Sequence, residues 1–143
     1  MAKIARTIFI NAPVEKVFDY MTDPDHIPEY WPNMIEVKDV RPSSAGGKDW
    51  DWVYKMAGIH FHGASECIEY VPNQRMVTKS TKGINNRAVG TYESQEGGTK
   101  LTFEIDYTIP VPLLGKLAEL LIVKMNEREF DTMLENLKAR MEA

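Results

Sequence analysis

The spacing of apolar side chains changes twice along this chain. KIARTIFI, residues 3–10, is rich in β-branched and aromatic residues and predicts an opening strand. NAPVEKVFDYM then sets Val14, Val17, Phe18 and Met21 at i, i+3, i+4 and i+7, the apolar stripe of a helix. Asn11 or Ala12 is the expected cap, with Pro13 at the first helical position, where a missing N–H costs nothing. Asp23 before Pro24 predicts a second helix capped by Asp23. Pro32 disfavours helix at Trp31, so this arm is very short. From MIEVKDV, residues 34–40, to DYTIP, residues 106–110, the pattern predicts six strands. Turns are expected at Gly46-Gly47, Ala57-Gly58, Pro72-Asn73, Gly83 and Gly97-Gly98. From Leu113 onward the spacing is helical again, with no proline or glycine after Gly115.

Turn positions set hairpin registers, and registers set faces. With Ala57-Gly58 as a two-residue turn, Met56 pairs with Ile59, Tyr54 with Phe61, Trp52 with Gly63 and Trp50 with Ser65. The reverse face then carries Asp49, Asp51, Lys55, His60, His62 and Glu66. A turn at VPNQ places Ser65, Cys67 and Glu69 on one face with Met76, Thr78 and Ser80, and sets Glu66 against Lys79. A turn at Gly97-Gly98 pairs Tyr92 with Phe103, Gly90 with Ile105 and Ala88 with Tyr107. One face is thus aromatic and apolar across five strands, and the other is charged. The inner face mixes large aromatics with Gly63, Ala88 and Gly90, and carries Ser65, Thr78, Ser80 and Glu69 as a polar patch. Either a void lined partly by hydroxyls remains there, or the long helix fills it.

In that helix, Phe130, Met133, Leu134, Leu137 and Met141 form one stripe. Leu113, Leu114, Leu117, Leu121 and Met125 fall nearly opposite. One straight helix cannot bury both sets against one sheet. Either it kinks at residues 124–129, or its first half has a second apolar partner. Leu114, Leu117, Leu121 and Met125 are the candidate patch for a homodimer or another partner.

Composition narrows the chemistry. With 143 residues, 43% hydrophobic and 27% charged, the chain suits a single globular domain over 1–143. A formal net charge of −4 argues against a nucleic-acid surface. No apolar run approaches the ~18 residues that a membrane span needs, and MAKIARTIFI lacks the apolar run of a signal peptide. The single cysteine, Cys67, cannot form an intrachain disulfide and fits a reducing, cytoplasmic setting. It maps to the inner face as a buried thiol with no base nearby in sequence. His60 and His62 share the outward face, with no third ligand in view and His26 in another segment, so no metal and no cofactor are expected. Glu69 is the candidate catalytic residue, because a carboxylate on an apolar face is costly unless paired or neutralised. Its alternative is a rim carboxylate bonded to Arg75.

The order of elements, with IFINAPVEKVFDYMTDPDHIPEYWPNM at one end and EGGTKLTFEIDYTIPVPLLGKL…LENLKARME at the other, resembles the START-like superfamily. That superfamily includes the birch-pollen-allergen-like and polyketide cyclase/dehydrase-like proteins. The resemblance covers essentially the whole chain and implies an α+β helix-grip fold. In it, a seven-stranded antiparallel sheet wraps a long C-terminal helix, with two short helices between strands 1 and 2. It further implies a cavity between sheet and helix for a small hydrophobic or amphipathic ligand that is lipid-, polyketide- or steroid-like. Face assignment and resemblance together nominate Trp31, Trp50, Trp52, Tyr54, Phe61, Cys67 and Thr78 as ligand-binding residues. Gly90, Tyr92, Phe103, Tyr107, Leu117 and Leu121 complete the set. A cyclase or dehydratase using Glu69 with a cavity tyrosine is the enzymatic alternative.

Overall fold

The computed structural model describes residues 1–110 and 115–143. Strand β1 (Ala2–Ile10) leads into helix α1 (Val14–Met21). A 3-10 turn (Pro24–His26) then runs directly into the one-turn helix α2 (Ile27–Tyr30). Strands β2 (Met34–Pro42), β3 (Lys48–Met56), β4 (Ile59–Val71), β5 (Arg75–Lys82), β6 (Asn86–Gln95) and β7 (Gly98–Tyr107) follow, and then helix α3 (Lys116–Glu142). All seven strands form one antiparallel sheet in the order β1-β7-β6-β5-β4-β3-β2. Because β1 and β2 are the opposite edges, the α1–α2 corner must carry the chain from one edge to the other.

The corner follows from its prolines. Val14, Val17, Phe18 and Met21 are buried, as their spacing predicts. Pro13 is the cap residue itself and not the first helical residue, with φ −58° and ψ 146°. The expected caps Asn11 and Ala12 therefore lie outside the helix. Asp23 does cap the next turn, its carboxylate accepting from the Asp25 N–H at 3.1 Å. Asp23→Ala should lower stability by about 1 kcal/mol, read as a shift in the urea midpoint at unchanged slope. A smaller change would mean that the Lys48 ion pair at 3.6 Å and Pro24 hold the turn without it. Trp31 ends α2 in an extended conformation, as a residue before proline prefers.

The β3–β4 hairpin has the expected register, from Met56 opposite Ile59 to Trp50 opposite Ser65. Ala57 and Gly58 both have positive φ, 51° and 78°, as a turn of this hand requires. Trp50, Trp52 and Met56 are buried, while His60 and His62 are exposed. The β6–β7 register differs from expectation by two residues. Tyr92 faces Leu101, Gly90 faces Phe103 and Ala88 faces Ile105. The turn is Glu96-Gly97, again with both φ positive, and Gly98 belongs to the strand. A Cβ on Gly98 would come within 2.4 Å of the Phe9 ring, so this glycine serves close packing instead of the turn. A shift of two preserves sidedness, and the face assignment survives.

Strand β4 departs more seriously. Cys67 faces Thr78 and Glu69 faces Val77, which leaves Ile68 as an extra residue in a bulge. Beyond it, sidedness reverses. Tyr70, not Glu69, faces Met76 and packs on Phe18 with ring centroids 5.4 Å apart.

Helix α3 runs uninterrupted through residues 124–129. Its buried stripe of Phe130, Met133, Leu134, Leu137 and Met141 meets Ile10, Val17, Phe18 and Leu101 in the core. Each such side chain taken from water contributes roughly 2 kcal/mol. Arg6 ties β1 to the middle of α3 through Asp131 at 2.7 Å and Glu127 at 3.4 Å. The first half of α3 is different: Leu117, Leu121 and Met125 are 73%, 57% and 55% exposed. The helix thus leaves its second apolar set uncovered and does not break to bury it. Leu113 and Leu114 lie outside the described residues.

Candidate functional site

Between the concave face of the sheet and α3 lies a cavity of about 120 Å³. Its wall comes from all three layers. Met21, Ile27, Tyr30 and Trp31 enter from the helical corner, Asn126, Glu129, Phe130 and Met133 from α3, and alternate residues from the strands. Of the residues nominated from sequence, Trp31, Trp50, Trp52, Tyr54, Thr78, Gly90, Tyr92, Phe103 and Tyr107 line it.

Four nominated residues are placed elsewhere. Phe61 is half-buried and packs on the core beside Tyr54 without reaching the cavity wall. Cys67 is buried against Gly47, where a Cβ would stand 2.9 Å from its Sγ. Burial pushes that thiol up in pKa, which suits an inert packing role. Leu117 and Leu121 are exposed on α3 and do not contribute to the wall. In addition Glu69, the candidate acid–base residue, is carried outward by the β4 bulge and bonds Arg75 at 3.0 Å. The inward polar patch therefore loses its carboxylate at that position.

The carboxylate of the cavity is Glu129, which the sequence reading did not single out. Its signal was present: Asn126 and Glu129 precede Phe130 and Met133 by four residues and so extend the buried stripe with polar groups. Glu129 Oε1 accepts from Trp31 Nε1–H and from the Tyr54 hydroxyl, and Oε2 accepts from Asn33 Nδ2–H. Burial pushes the Glu129 carboxyl above its ordinary pKa range, and these three donors offset part of the rise. Burial and the facing carboxylate push the Tyr54 hydroxyl well up. The cluster joins the α2–β2 corner, β3 and α3 around one carboxylate. Asn126 Nδ2–H donates to the Tyr107 hydroxyl at 2.7 Å, a further bond from α3 to the sheet.

Two close approaches shape the rest of the wall. Trp52 lies over Gly63, where a Cβ would fall 2.3 Å from the indole ring. Its Nε1–H donates to Ser65 Oγ at 3.0 Å. Tyr92 stands over Gly90, with its hydroxyl 3.2 Å from where a Cβ would be, and meets Phe18 edge-on at 5.0 Å. The small residues on the inner face thus make room for aromatic neighbours, and the cavity is what their packing leaves over. The histidines take no part in the wall. Among the described residues, no group of three His, Cys, Asp or Glu side chains is arranged to hold a metal ion, and no helix is long and apolar enough to cross a membrane.

The family described as polyketide cyclase/dehydrase and lipid transport matches residues 1–142. No curated protein matches the chain. Among solved structures, a START superfamily protein from Mycobacterium smegmatis is similar over 98% of this chain and 97% of that one, at 14% identity and a TM-score of 0.80. The ZhuI aromatase/cyclase from Streptomyces sp. R1128 is similar over 99% and 93%, at 15% identity and a TM-score of 0.79. A protein from Thermus thermophilus is similar over 98% and 97%, at 20% identity and a TM-score of 0.76. At these identities the likeness is one of fold.

Proposed function

For a chain that belongs to the polyketide cyclase/dehydrase and lipid transport family, we propose that the function is to bind a small hydrophobic molecule between the sheet and α3. The observation that carries this is the cavity, walled by aromatic and methionine side chains, with the one carboxylate among its described lining residues already engaged by three donors. Its size narrows the ligand. An apolar cavity of about 150 Å³ in another protein's core takes up benzene, and this one offers about 120 Å³. A space of this size suits a single ring or a short branched chain. A steroid or a long acyl chain exceeds it and would have to extend beyond it or widen it.

Binding is favoured over catalysis because the two groups nominated for acid–base work do not meet. Glu69 is on the outer face paired with Arg75, away from every cavity tyrosine. Glu129 does touch Tyr54, but its oxygens serve Trp31 and Asn33 as well, which fixes it as an anchor between elements.

Toluene is a suitable probe. At about ten times its dissociation constant it should stabilise the folded state by about 1.4 kcal/mol, a rise in Tm of roughly 4 °C. An unmoved Tm, together with a native mass spectrum free of any toluene adduct, would remove the binding reading.

A further inference from the structure

Among the described residues, four of the ten exposed large apolar side chains fall within nine positions of one helix: Leu117, Leu120, Leu121 and Met125 of α3. The other six are Met1 and residues scattered over β1, β2 and β4. A single exposed apolar residue needs no explanation, whereas a cluster marks a contact surface. At about 3.6 residues per turn, Leu120, Lys124, Leu117, Arg128, Leu121 and Met125 follow one another across an arc of about 140°. The arc points away from the buried Asn126, Phe130 and Met133. Its two basic residues are exposed, and among the described residues they make no ion pair. The neighbouring acids Glu127 and Asp131 are both held by Arg6.

Charge decides among the partners that could cover such a face. Two copies packed face to face would bury Lys124 and Arg128 from each side, with no unpaired acid in the arc to meet them, which is costly in a desolvated interface. An apolar groove on another protein has the same fault, since the centre of a protein interface is depleted in lysine. The order of residues along the helix fits a lipid surface instead. Leu117, Leu120 and Leu121 come first, and Lys124 and Arg128 follow about 10 Å further along the axis. An interfacial helix sinks its apolar groups about 5–10 Å into the boundary between headgroups and acyl chains. A tilted α3 would therefore set its leucines among acyl chains and these two cations at the phosphates. Lys116, at the edge of the arc, reaches the same level sideways. We propose that the first half of α3 docks, end first, on a membrane surface that carries anionic lipid. The helix rests on the bilayer and does not span it, being too polar to cross. The chain as a whole has a formal charge of −4, so the attraction is confined to this end and fixes the orientation. The docking is separate from the cavity reading, since Leu117, Leu121, Lys124 and Arg128 do not line the cavity.

The test is co-sedimentation of the full chain with sucrose-loaded vesicles, of phosphatidylcholine alone or mixed in equal parts with phosphatidylglycerol. Wild type should pellet with the mixed vesicles, far less with the neutral ones, and should be released by salt. Leu117→Ser combined with Leu121→Ser should weaken binding about tenfold or more. Lys124→Gln combined with Arg128→Gln should weaken binding to mixed vesicles roughly 25-fold, about fivefold for each charge, and leave the weak binding to neutral vesicles as it is. All four positions are exposed, so the Tm of each double variant should stay within about 3 °C of wild type, which shows that folding is intact. If wild type stays in the supernatant with mixed vesicles, or if both double variants bind them as wild type does, the proposal falls. A dimer that the leucine substitutions dissolve, with no vesicle binding, would overturn it in favour of a second copy on this face. Either failure leaves the cavity reading standing, because that rests on the toluene result.

Discussion

Replacing Phe130 by alanine is expected to lower the unfolding free energy by about 3 kcal/mol, toward the low end for a buried aromatic because one side of the ring already faces a void. Phe130 is 2% exposed on the buried stripe of α3. Its ring lies 5.3 Å from that of Phe103 and 6.4 Å from that of Trp31. Truncation removes those contacts and adds the space of a phenyl ring to the cavity. The same substitution should therefore change what binds: naphthalene, a poor fit to the wild-type cavity of about 120 Å³, should stabilise Phe130→Ala more than toluene does. Urea unfolding with and without each hydrocarbon measures both effects. A loss under about 1 kcal/mol, with no change in preference, would mean that α3 settles onto the sheet and the cavity is not a fixed volume.

The second large effect belongs to Glu129. Glu129→Ala leaves Trp31 Nε1–H, the Tyr54 hydroxyl and Asn33 Nδ2–H without their shared acceptor. Unmade hydrogen bonds at buried positions cost about 1–3 kcal/mol each. Water reaches part of this half-buried cluster, so a total loss of about 3 kcal/mol is expected. Glu129→Gln keeps one oxygen and should lose about 1 kcal/mol. The pair also separates charge from contact. Because burial raises the carboxyl pKa in the folded state, the folded protein holds this proton more tightly than the unfolded chain does. The stability that this contributes is fully present below the ordinary glutamate pKa and is lost as pH rises through the raised value. The advantage of wild type over Glu129→Gln should shrink across that interval and level off above it. Urea midpoints for both proteins, from about pH 4 upward, test the sign. A widening advantage with rising pH would mean that the three donors outweigh burial and hold the carboxylate charged.

How much of this could be read in the sequence differs from element to element. Sidedness from Trp50 to Ser65 was legible because Ala57-Gly58 supplies the two positive φ values of a tight turn, which fix the pairing on both sides. Sidedness of β6 and β7 was legible even though their register was not. A glutamate at the first turn position, Glu96, gives a weaker signal than the pair Gly97-Gly98 beside it. The contact of Gly98 with Phe9 that overrides composition comes from a distant strand. The bulge at Ile68 has no local signature, since neither glycine nor proline marks it, and it decided the fate of Glu69. Glu129 was missed because attention to apolar residues passes over a charge within their stripe. The cavity wall was legible where it is sheet and obscure where it is helix, because strand parity is set locally and the depth of α3 is set by packing.

The extra residue in β4 also governs how this scaffold tolerates a change of length. Upstream of Ile68, odd-numbered side chains point inward; downstream, even-numbered ones do, and Tyr70 thereby reaches Phe18 while Glu69 meets Arg75 in water. Loss of one codon in a regular strand turns every later side chain over. At position 68 it would not: Glu69 would follow Cys67 directly and stay outside, with Tyr70 still under the helices. A slip that drew Ile68 into regular pairing would do the reverse, bringing an acid into the interior and expelling a phenol. The strand can therefore be shortened here without disturbing the lining, and the interior stands one local rearrangement away from gaining a second carboxylate.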